Sequence, residues 1–364
     1  VPFAWQLDGQ GYVLDLRNQA RPARPAAPAD QPDQTHPTPL PSVLLVSRLA
    51  DRELDVVAQL LARVGIPVTR LHAETAAQAD LIVDSERQLV RVAGRSIRPT
   101  VTWIRHFAVT AMPAQHSALR RRFAAQSWQA TADQLGTASA VTIGARGPGL
   151  LDQLAAARAA GIPVPRTVVA ADPAAAAREF SGPRVVLKAL HEHFAEVRPG
   201  RLSGIFAEVA DREALTAADF AGCPPVVLQE YIEHTAEVRA YYADGEITAF
   251  TISKSDPAQL WTDPARVSIA QISPPPAVAA AIRLLAAALS LRYGAFDFLI
   301  SAGAAVFLEV NLAGDWRWIE TRLGQDPVSV SVAAMLRAEH DRAAATVPAD
   351  RRPPVDLLRF LSGG

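Results

Sequence analysis

Two periodicities alternate along this chain, period two for strands and period 3.6 for helices. Residues 1–19, "VPFAWQLDGQGYVLDLRNQ", alternate apolar and polar positions around "DGQG" and predict a small hairpin. Residues 20–41 are dense in Pro and Ala with little to bury, which predicts an extended linker. A βαβ-like unit follows. "SVLLVS" reads as a strand, "DRELDVVAQLLARVG" as a helix opened by Asp51 and closed by Gly65, and "PVTRLH" as the next strand. "LIVD", "QLVRVAG" and "TVTWIRHF" continue as strands. A long helix over "AQHSALRRRFAAQSWQATADQL" completes a first α/β domain, residues 42–140.

The next stretch, 141–235, reads as a helix over "LLDQLAAARAA", Gly161 and a strand, then a short helix with Asp172 as N-cap and Pro173 behind it. "RVVLKAL" is a strand with Lys188 at its end, and "VVLQEYI" is another. From 236 to 340, "EVRAYYA" and "EITAFTIS" form a hairpin through "DGE", and prolines start a helix at "PPPAVAAAIRLLAAALSL". "GAFDFLI" and "AVFLEVN" pair through "SAGA", and "DPVSVSVAAMLRAEH" closes as a helix before a tail, 341–364. There is no internal repeat.

Composition narrows the classes. With 364 residues, two or three domains are expected, and 49% hydrophobic with 20% charged residues describes an ordinary globular protein. A net charge of −1 argues against a nucleic-acid binder that works through a basic face. One cysteine excludes an intramolecular disulfide and a cysteine-rich zinc site, and Cys223 in "AGCPPVV" reads as a small buried residue. No segment reaches the roughly 20 apolar residues of a membrane span. The N-terminus has no basic-then-apolar signal pattern, so a cytoplasmic location without membrane partners is the expectation.

The chemistry gathers at "FLEVNLAGDW". Strand alternation sends Glu309 and Asn311 to one face, and Asp297 lies on the neighbouring strand. Three hard oxygen donors suit Mg²⁺. The plainer alternative has Asp297 capping a turn and Glu309 in an ion pair. Lys188, closing an apolar strand, suits phosphate. The backbone of Gln229, Glu230, Tyr231 and Ile232 could meet a purine edge, and the Glu237 carboxylate ribose hydroxyls. Other motifs read more plainly: "LRRR" as a solvated helix face, "GARGPG" as a glycine-rich approach to a helix, and His191–Glu192–His193 as loop residues. Trp103 and Ile104 read as core.

Taken in order, these features resemble the ATP-grasp superfamily over residues 42–340. The resemblance implies an α+β fold: an N-terminal α/β pre-ATP-grasp domain, then two mixed α/β subdomains sandwiching the nucleotide, with the hinge at "QEYI", Gln229–Ile232. From Asp297 to Glu309 is 12 positions and from Glu309 to Asn311 is 2, the spacing of the ribosomal-protein glutamate ligases. By that resemblance Asp297, Glu309 and Asn311 bind Mg²⁺ on ATP, and Lys188 meets the phosphates. The segment Gln229–Ile232 lies at adenine and Glu237 at ribose. Arg239, Lys254 and Arg266 face the phosphates and the acyl phosphate.

A narrower resemblance, carried by "LLVSRLADRELDVVAQLLARVGIPVTRLH", "VTWIRHF" and "FLEVNLAGDWRWIE", is to the microviridin-type graspetide synthetases. It implies a peptide substrate with a leader segment and closure of side-chain esters or amides, and it places Arg105 and His106 at a basic strand end that could face substrate. The chain departs from that family at Leu312 and Asp315, which replace a proline and a glutamine. Leu150 stands where a lysine is usual, with Arg146 nearby, and the glycine-rich loop after Lys188 is missing. A ligase joining an amino acid or amine to another carboxylate, and a nucleotide- or peptide-binding module with decayed catalysis, are the alternatives. The N-terminal hairpin reads either as an accessory or as a leader-like element, and the apolar composition permits a homodimer.

Overall fold

The computed structural model describes residues 6–8, 11–13, 39–109, 118–144, 147–190, 194–198, 201–204, 207–218, 220, 224–255, 259 and 264–345. The chain divides into two units, Val1–Thr38 and Pro39–Gly364. In the first, β1 (Gln6–Asp8) and β2 (Gly11–Val13) pair antiparallel with Asp8 opposite Gly11, as "DGQG" predicts. Most of the linker, Arg146, His191–Glu192–His193, Cys223 and the tail beyond 345 lie outside the described residues.

The second unit opens with β3 (Leu40–Ser47), so Leu40 and Pro41, read from sequence as the end of the linker, belong to a strand. There follow α1 (Arg52–Arg63), β4 (Val68–His72), β5 (Ile82–Asp84), β6 (Leu89–Val92), β7 (Arg95–Ile104), α2 (Ala118–Leu135) and β8 (Val141–Ile143). They build a sheet of order β4-β3-β7-β6-β5, with β8 also against β7. Its β3, β4, β7 and β8 are parallel, and β3 is buried from Pro41 to Ser47, which explains why its sequence is a continuous apolar run rather than an alternating one. Asp51 caps α1 by accepting from the Leu54 amide at 3.1 Å, and Gly65, at φ 77°, ends it.

Next come α3 (Leu150–Ala159), β9 (Thr167–Ala170), α4 (Pro173–Ala177), β10 (Arg184–Ala189), β11 (Phe194–Arg198), β12 (Arg201–Gly204), β13 (Glu208–Asp211), α5 (Arg212–Ala217) and β14 (Val226–Glu230). The antiparallel order is β13-β10-β14-β9, and β11-β12 is a separate ribbon. Asp172 caps α4 as expected, accepting from the Ala175 amide at 3.0 Å.

The last segment holds β15 (Ala236–Ala243), β16 (Glu246–Ser253), β17 (Ser268–Ile272), α6 (Pro276–Ala288), β18 (Tyr293–Ser301), β19 (Ala304–Asn311), α7 (Arg317–Leu323) and α8 (Pro327–Ala345). The strand order is β17-β16-β15-β18-β19, antiparallel throughout. Both predicted hairpins turn through paired left-handed residues, Asp244 (φ 45°) with Gly245 (φ 108°) and Ala302 (φ 48°) with Gly303 (φ 81°).

The two faces of this sheet are covered differently. On the back, Val238, Ala240, Ala249, Phe296, Phe298 and Val310 pack on Leu154 and Ala157 of α3 and on Val278, Ile282 and Leu285 of α6. On the front, Tyr241, Phe250, Tyr293 and Ala295 pack with Trp316, Leu336 of α8, and Leu45 and Trp103 of the first sheet. That apolar cover stops part-way along the strands.

Candidate functional site

Beyond the aromatic cover, the front face turns ionic. Arg239 on β15 lies opposite Asp297 on β18, and Asp297 lies opposite Glu309 on β19, so three charges form one row across three strands. Asn311, two residues on, shares the face. The Arg239 guanidinium donates to both Asp297 oxygens, at 3.1 and 2.9 Å. The Asn311 amide lies 3.2 Å from Asp297 Oδ2 and 3.5 Å from Glu309 Oε1. From the other sheet, β10 sends Lys188 across to Glu309 Oε2 at 2.8 Å, with only 7% of its side chain exposed.

Like charges set directly opposite on paired strands repel. Burial pushes the Asp297 carboxyl above its ordinary value; Arg239 pulls it down and Glu309 adds to the rise. Burial alone would lower the Arg239 guanidinium, yet Asp297 and Tyr241 hold it raised. Among the described residues no three His, Cys, Asp or Glu side chains cluster as a metal site on their own. The row offers two carboxylates and one amide oxygen, whose O and N ends are interchangeable by a flip. That set fits Mg²⁺, which needs few protein oxygens when phosphates and water complete its shell.

The hinge residues divide. Gln229 is buried and its amide donates to Thr167 Oγ1 at 2.9 Å, so its side chain is structural. Glu230 is exposed and accepts from the Arg166 amide at 3.1 Å. Arg184 lies over the Tyr231 ring, 4.0 Å from its centre, and the Ile232 carbonyl meets His234 Nδ1 at 2.8 Å. Glu237 binds Lys254 at 2.8 Å and lies 3.5 Å from His234 Nε2, which brings two of the expected residues together. Arg266 stands apart in character, exposed on the short turn Pro264–Arg266 ahead of the edge strand β17.

Sequence reasoning missed how the row is supported. Gln153 of α3 is 6% exposed and grips the edge strand at Val310: its Oε1 accepts from the Val310 amide at 2.8 Å and its Nε2 donates to the Val310 carbonyl at 3.1 Å. A polar residue amid the buried positions of α3 was the available signal. Tyr241 accepts from Arg239 Nε at 2.9 Å and donates to the Asp315 carbonyl at 2.6 Å; burial pushes its hydroxyl up to about 12. Gly314 leaves no room for a side chain, since a Cβ there would lie 2.4 Å from Ala295 Cβ and 3.2 Å from the Arg239 guanidinium.

Arg105 and His106, expected together at the substrate, part company. Arg105 is 1% exposed and bolts the first sheet to the loop after β19, bonding Asp51 Oδ1 at 2.8 Å and Asp315 Oδ1, and lying 4.9 Å from the Trp316 ring centre. His106 is exposed, at φ 50°, with Nε2 2.9 Å from Asp315 Oδ1. Burial would raise the Asp315 carboxyl, but the His106 hydrogen bond and the Arg105 charge outweigh it and hold the group well below the usual range. Trp103 and Ile104 are core, as expected. Leu150 opens α3 and packs against the back-face core.

No protein-family model and no curated protein matches the chain. Solved structures do. The macrocyclase MdnC of Microcystis aeruginosa MRC, bound with precursor peptide MdnA, superposes with TM-score 0.66 at 19% identity, covering 82% of this chain and 99% of that one. The fold is that of the ATP-grasp ligases. A Chryseobacterium gregarium RiPP-associated ATP-grasp ligase, in complex with ADP and a leader and core peptide, gives 0.65 at 19% identity over 87% of this chain and 100% of its own. The ATP-grasp ligase PsnB, complexed with a phosphomimetic variant of its minimal precursor, Mg and ADP, gives 0.63 at 20% over 83% and 99%. Within the ATP-grasp frame the ionic row and Lys188 face each other from two sheets. No helix among the described residues is long and apolar enough to cross a membrane.

Proposed function

We propose that this chain is an ATP-dependent ligase that activates a carboxylate as an acyl phosphate and captures it with an amine or hydroxyl. The peptide reading is that its substrate is a ribosomally made peptide with a leader segment, closed through side-chain esters or amides. The observation that carries the proposal is the row Arg239–Asp297–Glu309–Asn311 facing Lys188 in an ATP-grasp fold. The peptide complexes of MdnC, the Chryseobacterium ligase and PsnB support the finer reading.

Asp297, Glu309 and Asn311 would hold Mg²⁺, which when bound offsets phosphate charge and makes the γ-phosphorus more electrophilic. The protein's own share is positioning and charge. Lys188 and Arg239, now spent on Glu309 and Asp297, would turn to phosphate oxygens as those carboxylates turn to the cation. The backbone of Gln229–Ile232 would meet adenine and Glu237 ribose, with Lys254 and Arg266 as further cations for the phosphates. A substrate carboxylate oxygen attacks the γ-phosphorus and ADP leaves. The acceptor then attacks the acyl carbon and phosphate leaves.

The test is mass spectrometry after incubation with ATP, Mg²⁺ and short peptides encoded beside the gene. A product lighter by one water supports ring closure, and a heavier one indicates joining of a second molecule. No ATP consumption with any peptide or amine sinks the ligase reading.

A further inference from the structure

A groove of about 620 Å³ opens between α1 and α7, away from the ionic row, lined by Arg52, Asp55, Val56, Arg317, Trp318, Thr321 and Arg322. Three arginines and one aspartate line it. The first turn of α1 carries two acids, and both are committed elsewhere: Glu53 accepts from the Trp316 and Arg317 amides at 3.3 and 3.1 Å, and Asp55 binds Arg70 at 2.9 Å. Arg52 therefore stands exposed at the first position of a helix, the end where the macrodipole already disfavours a cation. Arg317 is held by Glu320 at 2.8 Å and by Asp326, which fixes one wall. Arg322 is exposed with its guanidinium 5.9 Å from the Trp318 ring centre.

We propose that this groove binds an acidic stretch of the peptide substrate, its Asp or Glu side chains on Arg52 and Arg322 and its backbone against the Trp318 indole. Arginine beside tryptophan is the composition of protein recognition hot spots, and planar guanidinium suits carboxylate. A substrate activated at its own carboxylates must carry acids, so the chemistry of occupant and groove agree; to that extent the inference rests on the ligase reading.

The groove is also wired to the row. Trp318 Nε1 donates to the Asp315 carbonyl at 3.1 Å, and that same oxygen accepts from Tyr241 at 2.6 Å, whose hydroxyl in turn accepts from Arg239. An occupant that presses on Trp318 acts on the support of Arg239.

The experiment titrates the full chain with hexaglutamate, following tryptophan fluorescence and heat, with hexalysine and inorganic phosphate as controls. The proposal expects saturable hexaglutamate binding that weakens at least tenfold in Arg52→Ala with Arg322→Ala, and weakens with added salt. It expects no response to hexalysine and a fluorescence change that is lost in Trp318→Phe. Hexaglutamate binding that the arginine pair leaves intact, or no saturable binding, would overturn it. Inorganic phosphate matching hexaglutamate would do the same, by making this a simple anion site. Mg²⁺-dependent ADP binding, measured on the same samples, separates the outcomes: its loss counts against the ligase reading and leaves the groove standing, and the reverse holds.

Discussion

Strands β18 and β19 show one pair of strands doing two jobs on its two faces. On the back, Phe296, Phe298, Phe307 and Val310 are sealed under α3 and α6. On the front, Asp297 and Glu309 are partly open and paired with Arg239 and Lys188, and the Asn311 amide reaches both carboxylates. The back face gives up water to hold the strands in place, and the front face uses that rigidity to keep two carboxylates opposite each other against their repulsion. Stability and chemistry are thus separated by the two-residue period of the strand, not by distance.

That separation can be broken most forcefully from behind. Phe298→Ala should cost about 3–5 kcal/mol, as large buried aromatic truncations do, read as a drop in the urea midpoint. Nucleotide binding should survive wherever the variant remains folded. Gly314→Ala attacks the boundary, pressing on Ala295 and Arg239 together. Overpacking should cost about 1–3 kcal/mol and should also weaken Mg²⁺–ADP binding, a coupling that back-face variants lack. Gln153→Leu leaves the Val310 amide and carbonyl without partners, a loss of about 1–3 kcal/mol, and should speed hydrogen exchange at Val310 first.

Smallest is the effect of Asp315→Asn, which concerns the bolt rather than either face. The folded state depresses this carboxyl, so its contribution is fully present above the ordinary carboxylate value and fades as pH falls through the depressed one. The variant should melt below the wild type at neutral pH, and the gap should close in strong acid. Because the side chain is 53% exposed, solvent screening keeps that gap modest.

The sequence made some of this legible and hid the rest for identifiable reasons. The Asp51 and Asp172 caps, both hairpin turns and the shared face of Asp297, Glu309 and Asn311 are local facts, written within a few residues or in the period of a strand. The contacts that make the row a site are not local: Lys188 meets Glu309 across 121 positions and Gln153 meets Val310 across 157. Arg105 read as a basic strand end because its partner Asp315 lies 210 positions away. The edge strand β17, "SIAQI", escaped notice because an edge with two exposed sides shows no clean alternation. Helix α5, at six residues, is too short to display a period.

The most direct test is calorimetric titration of ADP with and without Mg²⁺, on the wild type and on Glu309→Gln. Glu309→Gln removes the charge but keeps the shape, so the back face should hold the fold. Binding should require Mg²⁺ in the wild type and fall at least tenfold in a folded Glu309→Gln. Binding that ignores both Mg²⁺ and the substitution would contradict that expectation, leaving the ionic row as a structural lock between two sheets.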